Sequence, residues 1–400
     1  MANNNSNSQI YSNQLPADLG NSELECLRRF NQTFEHYNGT RYMSVSDSAS
    51  FGYTQGGMLL ITVFYPLILA IGMLGNGAFI YVAVKVKHMR TITNRYLVNL
   101  AIADIIFLTS AIGPKLWRYG RSPLDGDDTP LGLPGCISVI FLSDMSYFAS
   151  LFFVTLVSLD RYVAVCRPQD RNSGIKGISK ELISGAWIIS CLLAAFLTPA
   201  NAKFVFYCYK WAPVYPYNKW PASLRVCLPI RPWMAQVSLA IQTLPFFITF
   251  VLNSVLYVSI IHGLSKSMGR LNQQGLQRIK DSHMRSQIAK MLVVNGLVFF
   301  VCLSPFEFAS LFYLIATSRG HQFIISNYTV RSYISQCARI LSYVNASVNP
   351  IIYTVMCDRY ILAFKQAFIP IQCRCNKQKD NGNYDCMRSR TLQTEMTSRL

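Results

Sequence analysis

Four polar groupings stand inside otherwise apolar stretches of this chain. Asp104 closes the run Asn99-Leu-Ala-Ile-Ala-Asp104, and Asn76 follows Gly75. Asn345-Ala-Ser-Val-Asn349-Pro350-Ile-Ile-Tyr353 adds two amides, a proline and a phenol, while Asp160-Arg161-Tyr162 ends another apolar run. An ionisable group in hydrocarbon costs several kcal/mol unless it meets a polar interior, so each is a functional candidate by default. Asp104 and the amides could form a hydrated cluster holding a cation and rearranging, or a network that only joins helices. Catalysis has no comparable support. The five His are scattered, no metal-ligand spacing occurs, and no Gly-rich loop could cradle phosphate. We expect no enzyme and no cofactor beyond a possible sodium ion.

The elements that must carry these residues are membrane helices. Hydrophobic residues make up 51% of the chain and charged ones 14%, a balance unusual for a soluble protein. About 20 apolar residues cross about 30 Å of hydrocarbon. Seven segments qualify, at residues 58–84, 96–117, 136–165, 182–199, 233–261, 288–317 and 333–356. Lys85, Lys87, Arg90 and Arg95 follow the first, Arg167, Arg171, Lys176 and Lys180 the third, and Lys266, Arg270 and Arg285 lie between the fifth and sixth. Basic residues stay on the cytoplasmic side, so the N-terminus is expected outside and the C-terminus inside the plasma membrane. The net charge of +18 therefore marks topology and contact with anionic lipid, not nucleic acid.

The expected organisation is all-α: a leader over residues 1–57, seven spans over 58–357, an amphipathic helix over 358–369 and a cytoplasmic tail over 370–400. The leader is polar, lacks the apolar core of a cleaved signal, and is expected to be disordered. Asn4, Asn31 and Asn38 begin glycosylation triplets there, and Asn327 begins another on the expected outer side.

Asn76, Asp104, Asp160-Arg161-Tyr162 and Asn349-Pro350-x-x-Tyr353, in that order and in those spans, resemble the rhodopsin-like G-protein-coupled receptors. Trp187 in the fourth span, with Pro245 and Pro305 in the fifth and sixth, extends the resemblance over nearly the whole membrane domain. The resemblance implies a receptor coupled to heterotrimeric G proteins, with arrestin and kinase as further cytoplasmic partners. It implies that Asp160 holds Arg161 at rest, that freed Arg161 meets the G protein, that Tyr353 swings beneath it, and that Pro305 loosens a moving helix. Asp104, Ser150, Asn345 and Asn349 match the sodium-site positions. Three positions depart from the pattern: Leu303 stands where Trp is usual, Asn253 where Tyr is common, and Arg285 where some members carry an acid.

The family joins Cys136, at the outer start of the third span, to the second extracellular loop, where Cys208 and Cys227 compete. Cys227 is preferred, in a second strand Arg225-Val-Cys-Leu facing a first strand Phe204-Val-Phe-Tyr-Cys-Tyr, which leaves Cys26 for Cys208. Cys373 and Cys375, beside the inner membrane, are palmitoylation candidates. Amine receptors of the family carry Asp eighteen residues before the Arg; here that residue is Ser143, with Asp144 turned by about 100°. Lys115, Arg118, Trp233, Phe306, Glu307 and Arg339 complete a mixed-charge outer lining, with Glu307 able to pair with Arg339. With the long leader and aromatic loop, this lining favours a neuropeptide-like ligand. A biogenic amine, or a transporter in place of a receptor, is the alternative.

Overall fold

The computed structural model describes residues 40–167, 177–269, 276–318, 328–369, 374–375 and 386–387. Strand β1 (Thr40–Tyr42) and helix α1 (Val45–Phe51) precede the membrane. The spans are α2 (Gln55–Lys85), α3 (Ile92–Tyr119), α4 (Gly132–Cys166), α5 (Ser179–Leu197), α6 (Pro232–Gly269), α7 (Leu276–Ser318) and α8 (Tyr328–Met356). Helix α9 (Asp358–Phe368) closes the domain. Six spans are each long and apolar enough to cross a membrane, and α8 with α9, across a bend of 102°, makes the seventh. The reason α8 falls short alone is chemical: Ser342, Asn345, Ser347 and Asn349 are all buried along it, so its inward face is polar. This is the all-α seven-helix bundle that the sequence implies.

The helices bury polar and aromatic faces and present apolar side chains outward. Leu192, Val258, Val301 and Val355 are largely exposed, while Asp104, Asn253, Glu307 and Asn345 are buried. Such inversion suits lipid, where helices gain little from hiding apolar surface and associate through packing and interhelical hydrogen bonds. One core runs through Phe79, Leu100, Phe148, Phe153, Phe299 and Tyr353. Close approach needs small residues at two places. A Cβ on Gly72 would lie 2.2 Å from Leu108 Cδ1, and one on Gly296 would lie 1.7 Å from Tyr257 Oη.

Caps and breaks follow from local sequence. Thr91 caps α3, accepting from Asn94 N at 3.2 Å, and extended backbone at Cys357 ends the α8 direction and starts α9. Tyr360, Ala363 and Ala367 recur at helical spacing on the buried face of α9.

Outside the membrane a three-stranded sheet forms in the order β1-β2-β3, with β2 (Lys203–Lys210) antiparallel to β3 (Ser223–Leu228) and parallel to β1. The two expected strands of the loop are β2 and β3. The leader differs from expectation. Its described part, residues 40–57, is folded, because Met43 and Phe51 pack with Tyr209 and Trp220 against the sheet and the Ser48 hydroxyl accepts from Ala212 N at 3.4 Å. Asn4, Asn31, Asn38, Asn327, Cys26 and Cys373 lie outside the described residues. Cys375 sits in a two-residue strand paired with Cys386.

Candidate functional site

At the inner end of α4, Asp160 Oδ2 accepts from Arg161 Nη2 at 2.6 Å and from Arg161 Nε at 3.2 Å. The Thr93 hydroxyl, on α3, donates to the same oxygen at 2.6 Å and also meets Arg161 Nη2. Three buried side chains from two helices thus satisfy one another, which makes the guanidinium tolerable in a mostly apolar setting. Beside them a cavity of about 250 Å³ is lined by Thr93, Arg161, Arg285, Ile288, Arg359 and Tyr360. Among the described residues no acid from α7 reaches Arg161, and its only ion pair is with Asp160. Tyr162 packs partly buried against the core.

Tyr353 is buried between Phe79, at 5.2 Å, and Tyr360, at 5.8 Å, and its hydroxyl has no hydrogen-bond partner among the described residues. The side-chain oxygen of Asn295 on α7 is likewise unmet. Tyr360 donates to Asn94 Oδ1 at 2.7 Å, fastening α9 to the start of α3. Arg359 donates to His88 O at 2.5 Å, and burial followed by the Arg359 charge pushes the His88 imidazole down, keeping it neutral.

Midway through the bundle, Asp104 is buried and accepts from Asn349 Nδ2 at 2.6 Å and from Ser150 Oγ at 3.4 Å. Asn76 donates to Ala346 O at 2.9 Å and to Gly72 O at 3.0 Å, tying α2 to α8. Asn345 Oδ1, Asn349 Oδ1 and Asn76 Oδ1 are buried and have no hydrogen-bond partner among the described residues. Asp104 thus brings a buried carboxylate together with the Ser150 hydroxyl and the amide of Asn349, whose own oxygen is unmet, and oxygen ligands of that kind suit a hard cation. Pro305 and Pro350 lie inside α7 and α8.

At the outer end, Cys136 is bonded to Cys227, with Cα atoms 5.7 Å apart, pinning β3 over α4. Cys208 is disulfide-bonded as well, and its expected partner Cys26 lies outside the described residues. Asp128 Oδ2 accepts from Cys227 N at 2.9 Å and Asp128 Oδ1 from Arg118 Nη1 at 2.5 Å. Arg118, expected in the ligand lining, is thus committed to the lid. Tyr53 stacks edge-on to Tyr119 at 4.9 Å; burial and then Asp125 push its hydroxyl up to about 12, so it stays a neutral donor.

Glu307 does not pair with Arg339. It is fully buried, and its Oε1 accepts from Tyr147 Oη on α4 at 2.6 Å. Ser143 is engaged too, donating to Ser110 Oγ at 3.0 Å, so it faces α3. Asp144 and Phe306 are half-buried, and Lys115 stands 6.0 Å from the Tyr65 ring with Arg339 near enough to repel it. Arg339 is exposed and has no ion pair among the described residues. Trp233 is 58% exposed at the start of α6 and makes no ring contact among the described residues, unlike the lining residue expected there.

Several contributors escape a reading by motif. Thr93 lies two residues past the Thr91 cap, so only its angle on α3 brings it to Asp160. Tyr147 lies fourteen residues before Arg161, about four turns up the same helix, a spacing that could have revealed it. Tyr257, hydrogen-bonded to Ser158 at 3.0 Å, stands one turn beyond Asn253, which instead donates to Thr155 Oγ1 at 2.9 Å.

Comparison with known proteins agrees with this geometry. Residues 75–353 match the family described as 7 transmembrane receptor (rhodopsin family). The mouse (Mus musculus) somatostatin receptor type 1 is 26% identical over 339 residues, covering 82% of this chain and 76% of the relative. The rat (Rattus norvegicus) somatostatin receptor type 4 is 26% identical over 334 residues, covering 82% and 76%. The mouse neuromedin-U receptor 1 is 27% identical over 356 residues, covering 84% and 79%. With a buried Asp-Arg pair at the inner end of its third span and a polar cluster at mid-membrane, the chain belongs to the rhodopsin family of seven-transmembrane, G-protein-coupled receptors.

Proposed function

We propose that this receptor binds an extracellular neuropeptide and activates heterotrimeric G proteins at the plasma membrane, with its N-terminus outside. The observation that carries the reading is Arg161, buried and held, among the described residues, only by neighbours on α3 and α4, beside a cavity at the inner end. A partner that displaced Asp160 from Arg161 would gain a bidentate donor. The relatives named for somatostatin and neuromedin U support a peptide as the outer ligand, as does the disulfide-pinned aromatic sheet at the outer end of the bundle. Ser143, placed where an amine receptor carries its acid, hydrogen-bonds Ser110 and offers no charge.

In this reading Tyr353 moves from between Phe79 and Tyr360 toward Arg161, and Pro305 supplies the bend from which α7 swings. Asp104, Ser150, Asn345 and Asn349 would hold a sodium ion, which neutralises the buried carboxylate and favours the resting state. Arrestin and a kinase would act on the cytoplasmic tail, and Cys373 and Cys375 would carry palmitate. The test is nucleotide exchange on purified G protein by receptor in lipid nanodiscs, driven by a neuropeptide panel that includes somatostatin and neuromedin U. Peptide-dependent exchange is expected; exchange driven by amines alone would overturn the peptide assignment.

A further inference from the structure

The cavity at the inner end of the bundle is cationic. Arg161 of α4, Arg285 of α7 and Arg359 of α9 all line it, and among the described residues no Asp or Glu does. Asp160 offsets Arg161 alone. Its carboxylate engages Arg161 Nε and Nη2, so Nη1 has no hydrogen-bond partner among the described residues. Arg359 uses Nη2 on His88 O, and Arg285 makes no ion pair or hydrogen bond among the described residues. Asp358, the acid beside Arg359, accepts instead from Gln287 Nε2 at 3.3 Å. A guanidinium carries five donors and no acceptor, so three of them leave N–H groups for which this wall offers no carboxylate.

Size and the remaining polar wall narrow the occupant. The volume is about 250 Å³. At roughly 30 Å³ per water that is room for about eight waters, and it falls below the roughly 300 Å³ at which pockets for drug-sized ligands begin. A compact anion fits. Thr91 Oγ1 accepts from Asn94 N at 3.2 Å and keeps its own proton to donate, whereas Tyr360 and Asn94 are engaged with each other at 2.7 Å. A carboxylate would bring two oxygens to three guanidinium forks. A phosphomonoester brings three strong acceptor oxygens, in the geometry that guanidinium binds bidentately.

We infer that this cavity is a phosphate site, in which Arg161, Arg285 and Arg359 hold the oxygens of a phosphomonoester carried by an inner-leaflet lipid headgroup or by a soluble ester. The bound group takes Arg161 Nη1 and leaves the Asp160 contact in place. It also links α7 to α4 and α9, which otherwise present like charges to one another across the cavity. Among the described residues α7 pairs no acid with Arg161, so that link has to come from an added anion. The occupied cavity holds α7 in place and denies Arg161 to a G protein, a consequence that rests on Arg161 being the group that meets the G protein.

The experiment uses full-length receptor in nanodiscs of phosphatidylcholine alone, with added phosphatidylinositol bisphosphate, or with phosphatidylserine to the same total charge. Native mass spectrometry counts the lipid retained on the receptor, and basal nucleotide exchange on purified G protein is read in the same discs. Inositol trisphosphate, titrated calorimetrically into the phosphatidylcholine discs at constant sodium and ionic strength, is the soluble probe. The bisphosphate lipid should be retained about tenfold more than phosphatidylserine and should lower basal exchange about threefold or more. Arg285→Gln and Arg359→Gln should each weaken retention about tenfold, whereas Arg95→Gln, at an exposed position outside the cavity, should change it less than about twofold. Inositol trisphosphate bound with the same dependence on Arg285 and Arg359 assigns a soluble source, and lipid retained without it assigns the membrane; either upholds the site. Retention within about twofold across the parent and all three variants, equal retention of the two anionic lipids, or no phosphate bound in either arm overturns it. Binding that depends on Arg285 and Arg359 but leaves exchange unchanged upholds the site and overturns its control of signalling, so failure of the Arg161 reading is distinct from failure of the site.

Discussion

The Tyr257 hydroxyl occupies the space that a side chain at position 296 would need: a Cβ on Gly296 would lie 1.7 Å from it. The same hydroxyl is hydrogen-bonded to Ser158 at 3.0 Å, so α6 is held at once against α4 and α7 near their inner halves. An interhelical hydrogen bond in a bilayer is worth about 0.6 kcal/mol on average and up to about 1.7. Tyr257→Phe should therefore raise ligand-independent nucleotide exchange roughly three- to twentyfold, if the active arrangement is sparsely populated at rest. Gly296→Ala should do the same by expelling the ring. Both are checked by basal exchange at matched surface density; unchanged basal exchange in both variants would show that this contact does not restrain the resting state.

The lid offers a second test. The Cys136–Cys227 bond anchors β3 to α4, whereas the bond of Cys208 lies on β2, away from the spans. Cys227→Ala should abolish surface ligand binding, while Cys208→Ala should retain a larger fraction of it at equal expression. Binding curves on intact cells decide this, and equal loss in both variants would place the two bonds on the same footing.

How far the sequence could be read depended on the kind of force involved. Hydropathy located the spans because apolar length is a property of local sequence. Motif order likewise placed Asp104 near Asn349 and Arg161 near Asp160, because helical depth and rotation follow from residue number. Pairings across helices did not follow. Glu307 meets Tyr147 and not Arg339 because the helices' relative rotation, set by packing, decides which of several polar groups at one depth face each other. Residues 40–57 looked like tail by composition, and their order comes from nonlocal contacts: Phe51 and Ser48 against a sheet formed more than 150 residues later.

The mid-membrane cluster supplies a third test. Asp104 is the one buried carboxylate among Ser150, Asn345 and Asn349, and oxygen donors without a carboxylate hold sodium weakly. Asp104→Asn should remove any dependence of agonist affinity on sodium in competition binding with NaCl replaced by N-methylglucamine chloride. A sodium effect undiminished in the variant would place the ion elsewhere.

A fourth concerns the outer cations. If the ligand carries a free carboxylate, Arg339, which has no ion pair among the described residues, is available to it in a charge-assisted bond worth about 1.5–3 kcal/mol. Arg339→Ala should then raise the half-maximal concentration roughly ten- to a hundredfold. A shift under about threefold at matched expression would remove Arg339 from the pocket.

Transduction through Arg161 is tested most directly by one comparison. Arg161 and Asp160 satisfy each other at 2.6 Å, with Thr93 as the second holder of that carboxylate, and among the described residues no acid from α7 pairs with Arg161. The measurement is ligand-stimulated nucleotide exchange on purified G protein by Arg161→Ala and Asp160→Asn receptors, reconstituted at equal density, beside ligand binding to the same samples. Arg161→Ala should bind ligand as the parent does, because the outer end of the bundle is about 27 Å of helix away at Ser143, yet lose most stimulated exchange. Asp160→Asn should raise basal exchange by releasing Arg161. An Arg161→Ala receptor that stimulates exchange as well as the parent would contradict the assignment of Arg161 as the group that meets the G protein.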